Sequence, residues 1–281
     1  MVLGARSNQV LNGTETSHSG LNVLVSKLKT LTGLTLKQRD NPLVEHLIAA
    51  RMYYAMGNFP DARRRAAYAK FAIEDLERIK DHDRDLLQQF KRKLRQASLQ
   101  NYFGLRLEIR IAAKLITDKI PFKKSEAPDF KLEDVTRWPG VGIECTSAHL
   151  DLECTKRPVD VLYKVIRAIE SKTEDRYATP LTIVAVDTSN LLFHEGHEEC
   201  SKILADKDMS KAHLQGPVDA SVFQSALYYT YASESLKDGA RTDYLRVRID
   251  RKGIDARCKD FLDLEWPFGD WWGVRELRPT V

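Results

Sequence analysis

One seven-residue stretch constrains the fold more than any other. Pro180 introduces Leu181–Asp187, LTIVAVD, a mainly apolar run in which Thr182 and the final Asp187 are the polar residues. Such a run is too short for a buried helix and too uniformly apolar for a strand with one wet face. It reads as a central strand covered on both sides, as in sheets flanked by helices. The segments before it supply the layers. A helix is expected over 101–118 and another over 159–177. Between them lie three short strand-like pieces, 120–123, 129–132 and 141–146. The order is α-β-β-β-α-β, which defines a mixed α/β domain.

The flanks have a different texture. Residues 1–40 are polar and weakly patterned up to Gly20, so a flexible start is expected, with one short helix near 23–30. Residues 41–98 read as helical. Asn41-Pro42 is a cap followed by proline in the first turn. Gly57-Asn58 ends that helix, and Pro60-Asp61 opens the next, to about Ile79. Tyr53, Tyr54, Gly57 and Ala62 fit a tetratricopeptide-like pair, but no second copy occurs and a solenoid needs about three repeats. An ordinary helical hairpin is the simpler reading. Residues 99–281 are taken as the α/β domain with a C-terminal extension. Within that extension 218–236, with its Ala, Leu and Tyr, reads as a helix. The alternation in 243–250 (DYLRVRID) reads as a half-exposed strand.

Composition narrows the classes. The net charge of +4, from 44 Lys and Arg against 40 Asp and Glu, permits a nucleic-acid partner without requiring one. The basic runs Arg63-Arg64-Arg65 and Lys91, Arg92, Lys93, Arg95 are either solvated helix faces or phosphate contacts. No apolar run approaches the roughly 20 residues of a bilayer span, and the N-terminal stretch is not signal-like, so no membrane association and a cytoplasmic setting are expected. Cys145, Cys154, Cys200 and Cys258 form no C-x-x-C pair, which argues against a zinc ribbon. No phosphate-binding GxxxxGK[ST], GxGxxG or GxSxG motif is present.

Charged residues at inward positions carry the functional reading. Glu108 falls within the apolar stripe Leu105, Ile109, Ala112, Leu115 and Ile116 of its helix. A carboxylate there is costly unless paired or bound to a metal. Asp129 follows Pro128 at the head of a strand, and Glu144 lies in VGIECTSAHL, with Thr146 on the same face two residues on. Asp129 and Glu144 can meet on neighbouring strands. Lys172 continues the stripe of Val161, Val165, Ala168 and Ile169, with Lys164 nearer its edge. The bland alternative for each residue alone is an edge-of-core charge that snorkels to water.

Helix Glu, then Pro-Asp, then a strand Glu resembles the PD-(D/E)xK nuclease superfamily, the restriction-endonuclease-like fold, over about residues 101–190. The resemblance implies a restriction-endonuclease-like mixed sheet flanked by helices. Glu108 would be the helix acid, Asp129 the PD aspartate and Glu144 the strand acid. The strand lysine would fall at Thr146, and Lys172 from the following helix is the natural substitute. The implied activity is metal-dependent phosphodiester hydrolysis, of DNA in preference to RNA, in restriction, phage defence or a mobile element, often as a homodimer. Asp129 and Glu144, with Glu108, are hard oxygen ligands suited to Mg²⁺ or Mn²⁺. Lys172 would orient the water or offset developing charge, and Thr146 would hydrogen-bond water or phosphate. The rival reading is a catalytically inactive nuclease-fold module that binds nucleic acid or protein, because Thr146 replaces the lysine. An RNA-processing enzyme is a third.

Other groups carry less. His194, His197 and Cys200 have ligand-like spacing, but their acidic surroundings favour a solvated surface over zinc. His149 is a candidate general base or a loop histidine, Cys145 is a core residue, and Trp266, Trp271 and Trp272 read as core-edge plugs or as base-stacking groups.

Overall fold

The computed structural model describes residues 18–149, 158–173, 180–192, 202–204, 206–236 and 239–263. The chain divides into two compact units, residues 1–117 with 233–243, and residues 118–232 with 244–281.

The first unit is built from five helices: α1 (His18–Thr32), α2 (Pro42–Ala55), α3 (Phe59–His82), α4 (Arg84–Arg95) and α5 (Leu99–Thr117). Local chemistry sets their ends. The Asn41 side chain accepts from the Leu43 and Val44 amides, and Pro42 occupies the first turn. Gly57 turns the chain after α2 at φ +74, a left-handed value that glycine adopts without a Cβ penalty. Asp83 caps α4 through the Asp85 and Leu86 amides. α3 is central. Its buried Ala62, Ala66, Ala67 and Ala69 let α2 approach closely, and Phe71, Ile73, Leu76 and Ile79 fill the space towards the other helices. α1, longer than the 23–30 helix expected, buries Leu21, Leu24, Leu28 and Leu31. α5 packs on α3 and α4, so the helical unit extends to Thr117 rather than stopping near residue 98.

Asp75 and His46 are among the polar groups buried in this unit. Asp75 of α3 accepts from Arg110 of α5 at 2.6 Å and from Arg78 at 2.8 Å; burial nonetheless raises its pKa. His46 of α2 is stacked on Tyr68 and lies 3.3 Å from an Arg65 nitrogen. Burial, aided by Arg65 and Arg106, pushes its pKa down to about 3.

The second unit is organised by a mixed six-stranded sheet in the order β1-β2-β3-β4-β5-β6. The strands are β1 (Phe122–Lys124), β2 (Phe130–Leu132), β3 (Gly142–Ser147), β4 (Thr182–Asp187), β5 (Ser225–Leu236) and β6 (Gly239–Asp250). β1, β2 and β3 pair antiparallel, whereas β3–β4 and β4–β5 are parallel. Every residue of β4 is buried, as its mainly apolar run requires. The helices are α6 (Pro158–Glu170), α7 (Lys207–Ala220) and α8 (Ala256–Asp263). α6 sets Val161, Leu162, Val165 and Ile169 against Val184 and Val186 of β4, and α7 adds Leu214 and Val218 to the same core. The α-β-β-β-α-β order therefore holds from α5 to β4.

Residues 218–236 are not a helix. α7 ends at Ala220, where Pro217 sits in the last turn and the Ser221 hydroxyl donates to the Val218 carbonyl. From Ser225 the chain is extended, in keeping with the β preference of its tyrosines. α6 is also shorter than expected, ending at Glu170. Among the described residues, no helix is long and apolar enough to cross a membrane.

Candidate functional site

The site starts from the β2–β3 pairing. Phe130 pairs with Ile143 and Lys131 with Gly142, so continuing the register places Asp129 directly across from Glu144. Gly142 permits the approach. A Cβ there would lie 2.5 Å from Pro128 Cγ, so only glycine lets the proline lie against β3 and carry Asp129 to the pair. The Asp129 amide donates to Glu144 Oε2 at 3.1 Å, and the Cys145 amide donates to Asp129 Oδ2 at 2.8 Å. The two acids are thus interlocked through backbone donors at the end of the β2–β3 ladder.

Each carboxylate also holds a lysine. Lys172 Nζ lies 2.7 Å from Glu144 Oε1, and Lys124 Nζ lies 2.6 Å from Asp129 Oδ1. Lys172 stands in the turn just past α6, where its amide donates to the Ile169 carbonyl. α6 packs on the pleat that carries Glu144 and Val184, so the turn is delivered onto the acid. Sequence reasoning misses Lys124. It comes from the end of β1, is buried, and rests 4.9 Å from the Phe130 ring centre. The only sequence signal for it is the short hairpin Lys124–Phe130, whose register the loop sets through the Ser125 hydroxyl on the Pro128 carbonyl.

The electrostatics are uneven. Glu144 is 1% exposed in its side chain, and its pKa is raised to about 7. Burial is the main cause and the neighbouring Asp129 charge the second; Lys172 opposes both. A carboxyl so placed exchanges a proton near neutrality. Thr146 shares the pleat of Glu144, sits opposite Val186, and is half-buried.

The other described candidates have partners of their own. Glu108 is on α5 in the helical unit, half-buried, with its carboxylate 2.9 Å from Lys93 of α4. Its inward position on the wheel is thus satisfied by a cation of the adjacent helix. Cys145 is buried and serves the site through its amide. His149 lies 2.8 Å from the Ser147 hydroxyl and 2.8 Å from the Asn190 amide nitrogen, beyond the end of β3. His194, His197, Cys200, Cys154, Trp266, Trp271 and Trp272 lie outside the described residues.

Among the described residues, no three His, Cys, Asp or Glu side chains gather as a metal cage. The donors available at the site are two carboxylates. That set does not suit zinc, but it fits Mg²⁺ or Mn²⁺, which commonly take one or two carboxylates and keep several waters. The raised pKa of Glu144 marks a place where further positive charge is favoured. A cleft of about 460 Å³ lies at the opposite, N-terminal ends of β3, β4 and β5, lined by Gly140, Leu181, Gln224 and Arg257 among others, and does not include this pair.

No family model, no curated protein and no solved structure matches this chain.

Proposed function

We propose that the chain is a metal-dependent nuclease with a restriction-endonuclease-like core, hydrolysing phosphodiester bonds of DNA. One observation carries the reading: Asp129 and Glu144 are interlocked side by side, with Lys172, from a separate segment, on Glu144. The α-β-β-β-α-β order supports it. Asp129 and Glu144 would hold Mg²⁺ or Mn²⁺, which supplies relief of phosphoryl charge and an acidified water when bound. Glu144, ionised beside the ion, would accept a proton from the attacking water. Lys172 sits within reach of the same carboxylate and offsets charge on the phosphoryl oxygens. Thr146, on the same pleat, offers a neutral hydrogen-bond donor. Glu108, the third acid of the resemblance, is paired with Lys93 of α4.

The test is cleavage of supercoiled plasmid, linear duplex, single-stranded DNA and RNA with Mg²⁺ or Mn²⁺. Wild type runs beside Asp129→Ala, Glu144→Ala and Lys172→Ala. Metal-dependent cutting lost in all three variants is the expected result. A wild type that cuts nothing and shows a flat metal titration overturns the proposal.

A specific observation favours the second reading, a catalytically inactive binding module. Each of the four carboxylate oxygens already has a protein donor: Lys124, the Cys145 amide, Lys172 and the Asp129 amide. A set closed in this way can serve as a structural clamp between β2, β3 and α6.

A further inference from the structure

The helical unit concentrates the positive charge of the chain. Residues 18–117 carry 19 Lys and Arg against 10 Asp and Glu, an excess of nine in a chain whose total is +4. The rest of the chain is therefore net acidic. An excess alone speaks only to solubility and non-specific attraction. Its placement says more.

Two hydrogen bonds tie the C-terminal ends of α1 and α4 to the loop between α1 and α2. Arg95 Nε donates to the Thr32 carbonyl at 2.8 Å, and Asn41 Nδ2 donates to the Leu94 carbonyl at 2.6 Å. Gly33 makes room: its φ is +76, and a Cβ there would meet the Arg95 guanidinium at 2.2 Å. The result gathers Lys29, Lys37, Arg39, Arg92, Lys93 and Arg95, all exposed. Lys93 is paired with Glu108, and Arg95 is engaged at Thr32. Lys29, Lys37, Arg39 and Arg92 meet no acid among the described residues. The loop itself holds one acid, Asp40.

Part of this has a local cause. Cations in a last helical turn complement the negative end of the helix dipole, which accounts for Lys29, Arg92, Lys93 and Arg95. It does not account for Lys37 and Arg39, which belong to neither helix. Of the apolar residues interleaved with these cations, Leu28, Leu31, Leu34 and Leu94 are buried, Leu36 is half-buried, and none is exposed. A membrane-surface site would present such residues outward beside the charges. A base-stacking platform would present aromatic rings, and no aromatic residue lies in 29–39 or 91–95. What remains is an array of cations on a rigid frame, suited to a repeating line of phosphates and indifferent to base sequence.

We infer that this end of the helical unit is a docking surface for the phosphate backbone of duplex DNA. The choice of polyanion rests on the nuclease reading; the surface rests on the charge placement. Binding of a labelled 30-base-pair duplex to the full chain is measured by fluorescence anisotropy in EDTA, which separates binding from cutting, across about 50 to 200 mM salt. Lys29→Glu/Lys37→Glu/Arg39→Glu/Arg92→Glu is expected to weaken binding about 100-fold and to flatten the salt slope by about 3 to 4, near 0.9 for each phosphate no longer neutralised. Lys37→Gln/Arg39→Gln, confined to the loop and harmless to helix formation, flattens it by about 2. Lys80→Glu/Arg84→Glu, in the last turn of α3 and at the start of α4, changes affinity less than about threefold, because it lies outside the patch. Circular dichroism confirms that each variant is folded. Absence of wild-type binding, unchanged binding by the loop pair, or an equal loss in the control pair overturns the inference. Wild-type binding without cutting removes the nuclease and leaves the surface. Cutting with unaltered binding in the charge-reversed variants removes the surface and leaves the nuclease.

Discussion

Glu144→Gln is expected to make the protein more stable at pH 8 and no more stable at pH 4. Glutamine, like the protonated acid, keeps the shape of the side chain and one acceptor oxygen for either the Asp129 amide or Lys172, and carries no charge into a place that is 1% exposed. The size follows from the proton affinity. Glu144 rises from 4.5 in the unfolded chain to about 7 in the fold. A rise of that extent is worth about 3 kcal/mol. Its sign is fixed by the direction: below pH 4.5 both states hold the proton and nothing is lost. Between 4.5 and 7 the unfolded chain sheds its proton first, so wild-type stability falls; above 7 the loss is complete. Urea unfolding of both proteins from about pH 4 to 8.5 reads the difference directly. The gap should open from near zero to about 3 kcal/mol, or about 6–12 °C in Tm for a unit of this size. Titrating groups away from the site cancel in the comparison. Excess Mg²⁺ at pH 8 should narrow the gap by favouring the ionised wild type. A gap independent of pH, or a variant less stable throughout, would refute the account of Glu144 as a carboxylate disfavoured by burial.

Acid should loosen the helical unit through His46, whose pKa of about 3 means that the unfolded chain takes a proton that the fold rejects. Stability from this source is full above about pH 6.5 and falls by about 4–5 kcal/mol towards pH 3; His46→Phe, which keeps the stack on Tyr68, should flatten the helical circular-dichroism melt across that range. Arg110→Met leaves Asp75 buried with only the more exposed Arg78, and chemical denaturation should register a loss of about 3–5 kcal/mol; a loss under about 1 kcal/mol would show that Arg78 suffices. Gly142→Ala drives a methyl into Pro128 and displaces Asp129 from Glu144, so the variant should lose about 1–3 kcal/mol on unfolding and any metal-dependent cutting more steeply than it loses fold.

Much of the second unit is legible in the sequence because its signals are local. A mainly apolar run makes β4, a proline and two glycines bracket β2 and β3, and the stripe of α6 points Lys172 the right way. Lys124 is not legible in that manner. Its partner is chosen by the register of a three-residue strand, and FKK has no pattern that selects which lysine turns inward. Glu108 shows a different limit of the sequence. A helical wheel assigns its face correctly, but a wheel does not say which helix lies opposite, and α4 brings Lys93. The stretch 218–236 misleads because Ala and Leu suit helices, while the change to strand after Ala220 is driven by pairing with β4, a contact distant in sequence.

The turn carrying Lys172 makes α6 a ruler. Had the cation stood at Thr146, two positions from Glu144 on one strand, its spacing would be fixed by the strand itself. Here the spacing is counted out along 13 helical residues anchored by their apolar stripe to β4. Loss or gain of a single residue within α6 rotates the turn beyond it by about 100° and moves it about 1.5 Å along the axis relative to the anchored stripe. The acids would keep their places while the cation swung off them. A change of one residue there would disarm the pair without touching either carboxylate.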